Sequence, residues 1–173
     1  MSKIVVIYKT KYGTTKQYAE WIAETLDAPL FEASSVKPAQ LMDYDTVVYG
    51  GGLYAGGILG VNLVVKNPCK SLVLFTVGLG DPAITDFSPI LTKTFAPEVL
   101  PSVKVFHLRG GMDYAKLSLI HKGLMAVLKK SVEKKPPAER SADDPEFLET
   151  YGKKIDYTDK STIMPLVEYV RAL

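Results

Sequence analysis

Five short apolar runs along the chain predict five buried β-strands. They are rich in Val, Ile and aromatic residues, and they span Ile4–Tyr8, Leu30–Ala33, Thr46–Tyr49, Ser71–Val77 and Val103–Leu108. The first, third and fourth runs are continuously apolar, which is typical of strands that helices cover on both faces. Pro29 precedes the second run and Lys104 lies in the fifth, so we expect these two strands at the sheet edges.

Helical periodicity separates these runs. After Thr15 an apolar residue recurs every four positions, at Tyr18, Ile22 and Leu26. Shorter helices are expected over residues 58–66 and 84–95. Because strands and helices alternate, the pattern predicts a parallel sheet in a single α/β domain over residues 1–173.

The pattern changes after the fifth strand, where we expect an insertion over residues 112–160. Its first part carries an apolar helical stripe, flanked by lysines: Tyr114, Leu117, Ile120, Leu124 and Leu128, with Lys116, Lys122, Lys129 and Lys130. Residues 129–144 are dominated by Lys, Glu, Asp and the pair Pro136-Pro137, which indicates an exposed loop. A last helix is expected over residues 162–171, with Pro165 in its first turn.

The striped helix, expected over residues 113–130, must bury its apolar side chains. It could pack on the chain's own sheet, join a homodimer, or lie peripherally in the anionic inner face of a membrane. Since it follows the fifth strand, we expect it near the carboxyl edge of the sheet, where it would wall a substrate pocket.

Composition excludes several classes of protein. The 173 residues contain 21 Lys plus Arg and 19 Asp plus Glu, a formal net charge of +2, with no basic tract that indicates nucleic-acid binding. No apolar run approaches the roughly 18 residues of a membrane span. The first apolar run is too short for a signal peptide and Cys69 is the single cysteine, so we expect a cytoplasmic protein.

The loop after the first strand has the composition of an anion site. It reads Thr10-Lys11-Tyr12-Gly13-Thr14-Thr15 and leads directly into a helix. Ligands of open parallel sheets bind at the carboxyl ends of the strands. There, free helix amides and short hydroxyl side chains would suit one phosphate. The alternative is that Thr14 or Thr15 only caps the helix.

Two further strand ends carry glycine. They read Gly50-Gly51-Gly52-Leu53-Tyr54-Ala55 and Gly78-Leu79-Gly80-Asp81-Pro82-Ala83. Both fit the Gly-x-Gly-x-x-Gly/Ala pattern of dinucleotide sites, but neither follows the first strand. The strand after each of them also lacks the Asp or Glu that would bind a ribose, so a dinucleotide is disfavoured. The segment from Gly50 to Gly57, with Tyr54 in its middle, would let the backbone approach a flat ring closely and would offer it an aromatic face. Tyr54 could also be an ordinary half-buried tyrosine.

Other chemistries of such folds are excluded. Gly13 is followed by threonines rather than by Lys-Ser/Thr, so the loop is not a Walker A motif, and the ends of strands one and three lack the carboxylates of a Mg²⁺ site. His107 and His121 have no third ligand at metal spacing, so we expect both to be packed or surface residues. Cys69 has no paired base and is expected to be structural.

Taken together, the three strand-end loops resemble those of the flavodoxin family, and the resemblance covers the whole chain. It implies a flavodoxin-like, doubly wound five-stranded parallel sheet, order 2-1-3-4-5, and one noncovalent FMN. The phosphate would bind the hydroxyls of Thr10, Thr14 and Thr15 with the amides of residues 12–15, and the ring would lie between residues 53–56 and 76–81. The implied cofactor-binding residues are Thr10, Lys11, Tyr12, Gly13, Thr14, Thr15, Gly51, Gly52, Leu53, Tyr54, Ala55, Gly56, Thr76, Val77, Gly78, Leu79, Gly80 and Asp81.

Residues 108–114, a long helix and residues 155–159 look like the flavodoxin-domain branch that contains menaquinone-dependent protoporphyrinogen oxidase. This likeness implies an FMN-dependent oxidoreductase acting on a quinone or a porphyrinogen, with no catalytic protein side chain and no metal. The alternatives are a flavodoxin that carries electrons between proteins, which the near-neutral charge disfavours, and an interaction module without FMN. Gly51-Gly52 keeps the last alternative open, because the family usually has Gly-Ser-Pro there.

Overall fold

A computed structural model describes all 173 residues and confirms the predicted α/β fold. In chain order the strands are β1 (Ile4–Lys9), β2 (Leu30–Glu32), β3 (Thr46–Tyr54), β4 (Gly57–Ile58), β5 (Leu72–Gly78), β6 (Lys104–Arg109), β7 (Gly111–Asp113) and β8 (Lys154–Asp156). The main sheet runs β2-β1-β3-β5-β6 with all neighbours parallel, and β2 and β6 are its edges as predicted. Strand β4 pairs antiparallel with β3, and β7 pairs with β8 in a separate sheet.

Six α-helices complete the fold. They are α1 (Thr14–Leu26), α2 (Asn62–Val65), α3 (Ser88–Thr94), α4 (Leu119–Lys134), α5 (Asp144–Thr150) and α6 (Met164–Arg171). Pro165 lies in the first turn of α6 as expected. None of these helices is both long enough and apolar enough to cross a membrane.

Two apolar clusters lie on opposite faces of the main sheet. Val6, Val48 and Phe75 pack with α1 and α6 on one face. Val5 and Leu74, each adjacent in sequence to one of these residues, belong to the cluster on the other face, with side chains from α2 and from the end of α3. Because neighbouring strand residues point to opposite faces, covering both faces requires the continuous apolar runs seen in the sequence.

The glycine run after the third predicted strand is a continuation of that strand rather than a loop. Gly50, Gly51 and Gly52 pair with β5 within β3. A Cβ atom on Gly50 would collide with the ring of Phe75, and one on Gly51 would collide with Ile58. The run therefore consists of glycine because its neighbours leave no room for side chains.

A two-residue turn joins β3 to β4. Ala55 and Gly56 both have positive φ, 49° and 74°, and Tyr54 pairs with Gly57 across the turn. Two central residues with positive φ define the tight turn whose twist suits a hairpin. This hairpin and the positive φ of Gly60 (67°) replace the first half of the helix expected over residues 58–66.

The polar stretch at residues 129–144 is more ordered than expected. Helix α4 continues to Lys134, because Lys and Glu are good helix formers. The next residue, Lys135, has an extended backbone, as is usual for a residue before proline, and this ends the helix. Helix α5 then begins at Asp144. The helix expected over residues 84–95 is shorter at its start, because residues 81–85 form a turn before α3.

The predicted apolar stripe is not one helix face. Tyr114 and Leu117 are buried, but both precede α4. The helix begins after Ser118, whose hydroxyl caps it by accepting a hydrogen bond from the His121 amide (3.2 Å). Ile120 and Leu124 are exposed, by 75% and 50%. Helix α4 therefore does not pack its stripe on the sheet; it buries a different face.

Strands β5 and β6 share a buried polar contact. Thr76 and His107 are paired neighbours, and their Oγ1 and Nδ1 atoms lie 2.6 Å apart. The ring of Phe87 stacks on the imidazole, with centroids 3.8 Å apart. Burial lowers the pKa of His107 from 6.5 to about 4, so the imidazole is neutral at pH 7.

This contact predicts an acid sensitivity of folding. The folded pKa of His107 lies below its unfolded value, so the unfolded chain binds the proton first, and stability is lost as pH falls from about 6.5 to about 4. We expect His107→Gln to remove this part of the pH dependence in urea unfolding at pH 7 and pH 4.5. Phe106→Leu, next to it on β6, should keep the wild-type pH dependence. Equal pH dependence in wild type and His107→Gln would contradict the assignment.

Candidate functional site

A cavity of about 560 Å³ opens where β1, β3 and β5 end. This is within the size range of cofactor and small-ligand pockets. Fourteen of the eighteen expected cofactor-binding residues line it: Thr10, Lys11, Tyr12, Thr14, Thr15, Gly52, Leu53, Tyr54, Ala55, Gly56, Val77, Gly78, Leu79 and Gly80. The structure thus brings the three strand-end segments to one place.

Four of the expected residues lie outside this lining. Thr76 is fully buried against His107, and Gly51 faces Ile58. The Asp81 carboxylate accepts a hydrogen bond from the amide of Ala83 (2.9 Å), and the amide of Gly13 donates to Thr10 Oγ1 (2.9 Å). These four residues therefore take part in local contacts next to the cavity rather than in its lining.

The loop after β1 forms an anion cradle at the start of α1. Gly13 has a φ of +100°, which a side chain rarely adopts, and its amide donates to Thr10 Oγ1 (2.9 Å). The backbone hydrogen bonds of α1 begin only with the Gln17 amide, so the amides of the first turn are free. No threonine side chain caps the helix, so the capping alternative is wrong. Free amides at the positive end of a helix dipole favour an anion.

Glycine brings the other two segments close to this cradle. A Cβ atom on Gly52 would lie 3.2 Å from Thr15 Oγ1, and one on Gly78 would lie 2.9 Å from the side chain of Leu53. A side chain at Gly52 would push β3 away from the start of α1, and one at Gly78 would push the ends of β3 and β5 apart. Both glycines line the cavity, so this close packing sets the shape of its strand-end side.

His121 of α4 reaches across to the strand-end loops, a role that the sequence did not indicate. Its Nδ1 atom contacts the hydroxyl of Tyr12, and its ring lies 4.8 Å from that of Tyr54. Lys11 Nζ lies 4.8 Å from the centroid of the Tyr54 ring. Burial, together with the charge of Lys11, lowers the pKa of His121, so a neutral imidazole is favoured here. A lone histidine in an apolar helix has no spacing signal that could have revealed this contact.

The insertion supplies the wall of the cavity opposite the strand ends. Met125, Leu128 and Val132 of α4 and Phe147 of α5 line it, as does Ile90 of α3. Apolar side chains predominate on this wall, which also carries Asp143 and Asp144, whereas the strand-end side is rich in backbone amides and hydroxyls. The cavity thus offers an anion cradle at one end and an apolar surface at the other.

Arg109 fastens the insertion to the loop that follows β5. Its guanidinium donates to Leu79 O (2.8 and 3.0 Å) and to Glu146 of α5 (2.6 Å). The same group stacks on the ring of Tyr157, 3.8 Å from the centroid. A planar, five-donor group can serve several partners at once, which Lys could not do.

A second contact joins the same two segments. The hydroxyl of Thr85, in the loop after β5, donates to the carboxylate of Asp143, which precedes α5 (2.8 Å to each oxygen). Hydrogen bonds from the backbone and hydroxyl of Ser141, and the neighbouring Lys135, lower the pKa of Asp144 against the effect of burial. Both carboxylates therefore belong to the attachment of α5, and no group of His, Cys, Asp or Glu in the structure is arranged to hold a metal.

Cys69 is half-buried, and burial raises the pKa of its thiol, which favours the unreactive protonated form. The thiol lies outside the cavity lining and takes no part in the site.

The family model of the flavodoxin domain matches residues 5–139, and the chain belongs to this family. Among solved structures it is similar to a flavodoxin, WrbA-like protein from Agrobacterium tumefaciens, with 17% identity, 99% of each chain covered and a TM-score of 0.50. It is also similar to oxidised flavodoxin 2 from Bacillus cereus (18% identity, 62% of this chain and 84% of that one, TM-score 0.47). A third similar structure is a flavoprotein in complex with FMN from Lactobacillus acidophilus (14% identity, 63% of this chain and 93% of that one, TM-score 0.43). No curated protein matches the chain.

The Arg109 contacts predict a measurable contribution to stability. We expect Arg109→Met to lower the free energy of unfolding by about 2 kcal/mol, because it leaves Leu79 O and Glu146 without their half-buried donor. Arg171→Met is the control, since Arg171 also donates to a backbone carbonyl, Thr25 O, but on the exposed surface. Urea unfolding measures both changes, and limited proteolysis should cut residues 135–153 faster only in Arg109→Met. Equal effects of the two substitutions would show that Arg109 does not hold the insertion.

Proposed function

We propose that this chain is an FMN-dependent oxidoreductase that transfers electrons between the flavin and a small hydrophobic molecule such as a quinone or a porphyrinogen. The observation that carries the proposal is the single cavity, which joins an anion cradle to an apolar wall. The cradle suits the cofactor, and the apolar wall suits the substrate. The insertion that builds this wall is consistent with the protoporphyrinogen-oxidase-like branch.

FMN is the cofactor that fits the strand-end side. The phosphate would be held by the free amides of the first turn of α1 and by the nearby hydroxyls of Thr10, Thr14 and Thr15. The ring would occupy the part of the cavity that Gly52, Gly78 and Gly80 line. The similar Lactobacillus flavoprotein is a complex with FMN.

Bound FMN supplies the redox chemistry, which no side chain of this site could perform. The protein binds and orients the cofactor, and Met125, Leu128 and Phe147 offer apolar contacts to a hydrophobic substrate. His121, in contact with Tyr12, joins α4 to the loop after β1.

An electron carrier between proteins is the alternative function. Acidic carriers attract basic partners over long distances, and clustered charge is what makes such encounters fast. This chain has a net charge of +2 and a pI near 8.5. The site is also walled by the insertion, which favours a small molecule over a docked protein.

Binding of the cofactor is tested by titrating the apo chain with FMN and with riboflavin. We expect FMN to bind, with quenching of its fluorescence, at least tenfold more tightly than riboflavin, because riboflavin lacks the phosphate that the cradle holds. If FMN does not bind, or binds no better than riboflavin, the proposal is wrong, and the interaction module without FMN becomes the better description.

The cradle also predicts the effect of a single substitution. Gly13→Val should weaken FMN binding by tenfold or more, because a valine at a φ of +100° forces the loop to change shape. Lys11→Ala should weaken it less than threefold, since the lysine lies over Tyr54 and amides hold the phosphate. Thermal unfolding of both variants controls for misfolding, and fluorescence titration measures the affinities. Equal, small losses would place the flavin elsewhere.

The apolar wall predicts selective loss of turnover. Met125→Trp should fill the insertion side of the cavity and lower kcat/KM for a soluble naphthoquinone at least tenfold, while the reaction of reduced protein with ferricyanide changes less than twofold. Val127→Trp is the matched control, because Val127 lies on the same helix but is 68% exposed. Unchanged quinone turnover in Met125→Trp would favour the electron carrier.

A further inference from the structure

Helix α4 carries two apolar faces, and only one of them faces the protein. His121, Met125, Leu128 and Val132, spaced as i, i+4, i+7 and i+11, contact the strand-end loops or line the cavity; His121 and Val132 are buried, and Leu128, at the rim, is 47% exposed. Ile120, Leu124 and Val127 repeat the same spacing one position earlier and are exposed by 75%, 50% and 68%. The adjoining Leu119 is exposed by 86%. A cluster of large exposed apolar side chains on one helix indicates a surface that something else covers.

The charge around this helix is mostly basic. Residues 114–134 contain five lysines, Lys116, Lys122, Lys129, Lys130 and Lys134, and one acidic residue, Glu133. Lys130 and Lys134 follow Val127 at i+3 and i+7 and Lys116 precedes the helix, so these three flank the outer face, whereas Lys122 and Lys129 lie on the opposite side of α4. Only Lys129 has an acidic partner within the chain, Glu133. The basic charge is therefore concentrated around this helix and is largely available to an external anion.

We propose that the outer face of α4, defined by Leu119, Ile120, Leu124 and Val127 with its flanking lysines, is a docking surface for an anionic lipid membrane. The apolar side chains enter the boundary between headgroups and acyl chains, and the lysines bind lipid phosphates. This extends the proposed function, because the inner face of the same helix walls the cavity where a hydrophobic substrate would be reached. The surface itself does not depend on bound flavin.

Charge favours a lipid surface over a second copy of this chain. A two-fold symmetric contact through this face would bring the same basic surface of both copies together, and such juxtaposition of like charge is unfavourable. An anionic bilayer satisfies the apolar and the basic groups together. A dimer through this face is accordingly the competing outcome of the test.

The test is sedimentation of the full chain with unilamellar vesicles. We expect binding to vesicles of phosphatidylcholine with phosphatidylglycerol, weakened by salt, and little binding to pure phosphatidylcholine. The triple substitution Ile120→Ser, Leu124→Ser and Val127→Ser should weaken binding at least tenfold. Changing Lys116, Lys130 and Lys134 to Gln should weaken it about fivefold per lysine, on the order of 100-fold in all.

Matched controls separate this surface from general hydrophobicity and charge. Met42→Ser, Val65→Ser and Val99→Ser remove three other exposed apolar side chains, and Lys66→Gln, Lys93→Gln and Lys153→Gln remove three other exposed lysines. Both control variants should bind anionic vesicles within threefold of wild type. Circular dichroism checks that the α4 variants remain folded.

Three results would overturn the proposal. The first is no binding of wild type to anionic vesicles, and the second is equal losses in the α4 and control variants. The third is a dimer in sedimentation equilibrium that the serine variant dissociates, which would assign the face to a second copy. Since FMN titration is measured without vesicles, failure here is distinguishable from failure of the proposed cofactor function.

Discussion

The guanidinium of Arg109 is the interaction on which the shape of the site depends. It joins the carbonyl of Leu79, in the loop after β5, to Glu146 in the insertion, and it stacks on Tyr157. The strands of a parallel sheet end in separate loops. A cavity that these loops share with the insertion therefore needs a contact that holds the insertion against them. Placing one planar cation at the end of β6 fixes two segments at once. The strand-end loops and the insertion therefore enclose one cavity.

The main sheet could be predicted because its signals are local. Five apolar runs, uninterrupted in the covered strands and marked by Pro29 and Lys104 at the edges, indicate five parallel strands and their positions. The glycines at 50–52 were misinterpreted as a loop. Glycine is required there because the ring of Phe75 and the side chain of Ile58 leave no room for a Cβ atom. The sequence does not show these contacts, so a glycine required by packing cannot be told from a glycine required by a turn.

The candidate site was less predictable than the fold. The anion cradle follows from a local pattern at residues 10–15, but the contacts of Arg109 and of His121 depend on how the insertion folds back over the sheet. The polar composition of residues 129–144 suggested a loop, although it forms the end of α4 and the start of α5. Helix α4 also carries apolar residues on two faces, so periodicity alone could not tell the cavity face from the outer face.

Hydrogen–deuterium exchange with and without saturating FMN tests most directly whether the strand ends and the insertion form one site. The account predicts slower exchange in the presence of FMN at residues 10–16, 52–56 and 77–80, and also at residues 121–128 of α4, whose His121 contacts Tyr12 and Tyr54. Residues 164–171 of α6, none of which lines the cavity, serve as the internal reference. Protection of the strand-end loops with no change in α4 would contradict the shared cavity, and absence of protection at residues 10–16 would contradict the flavin site itself.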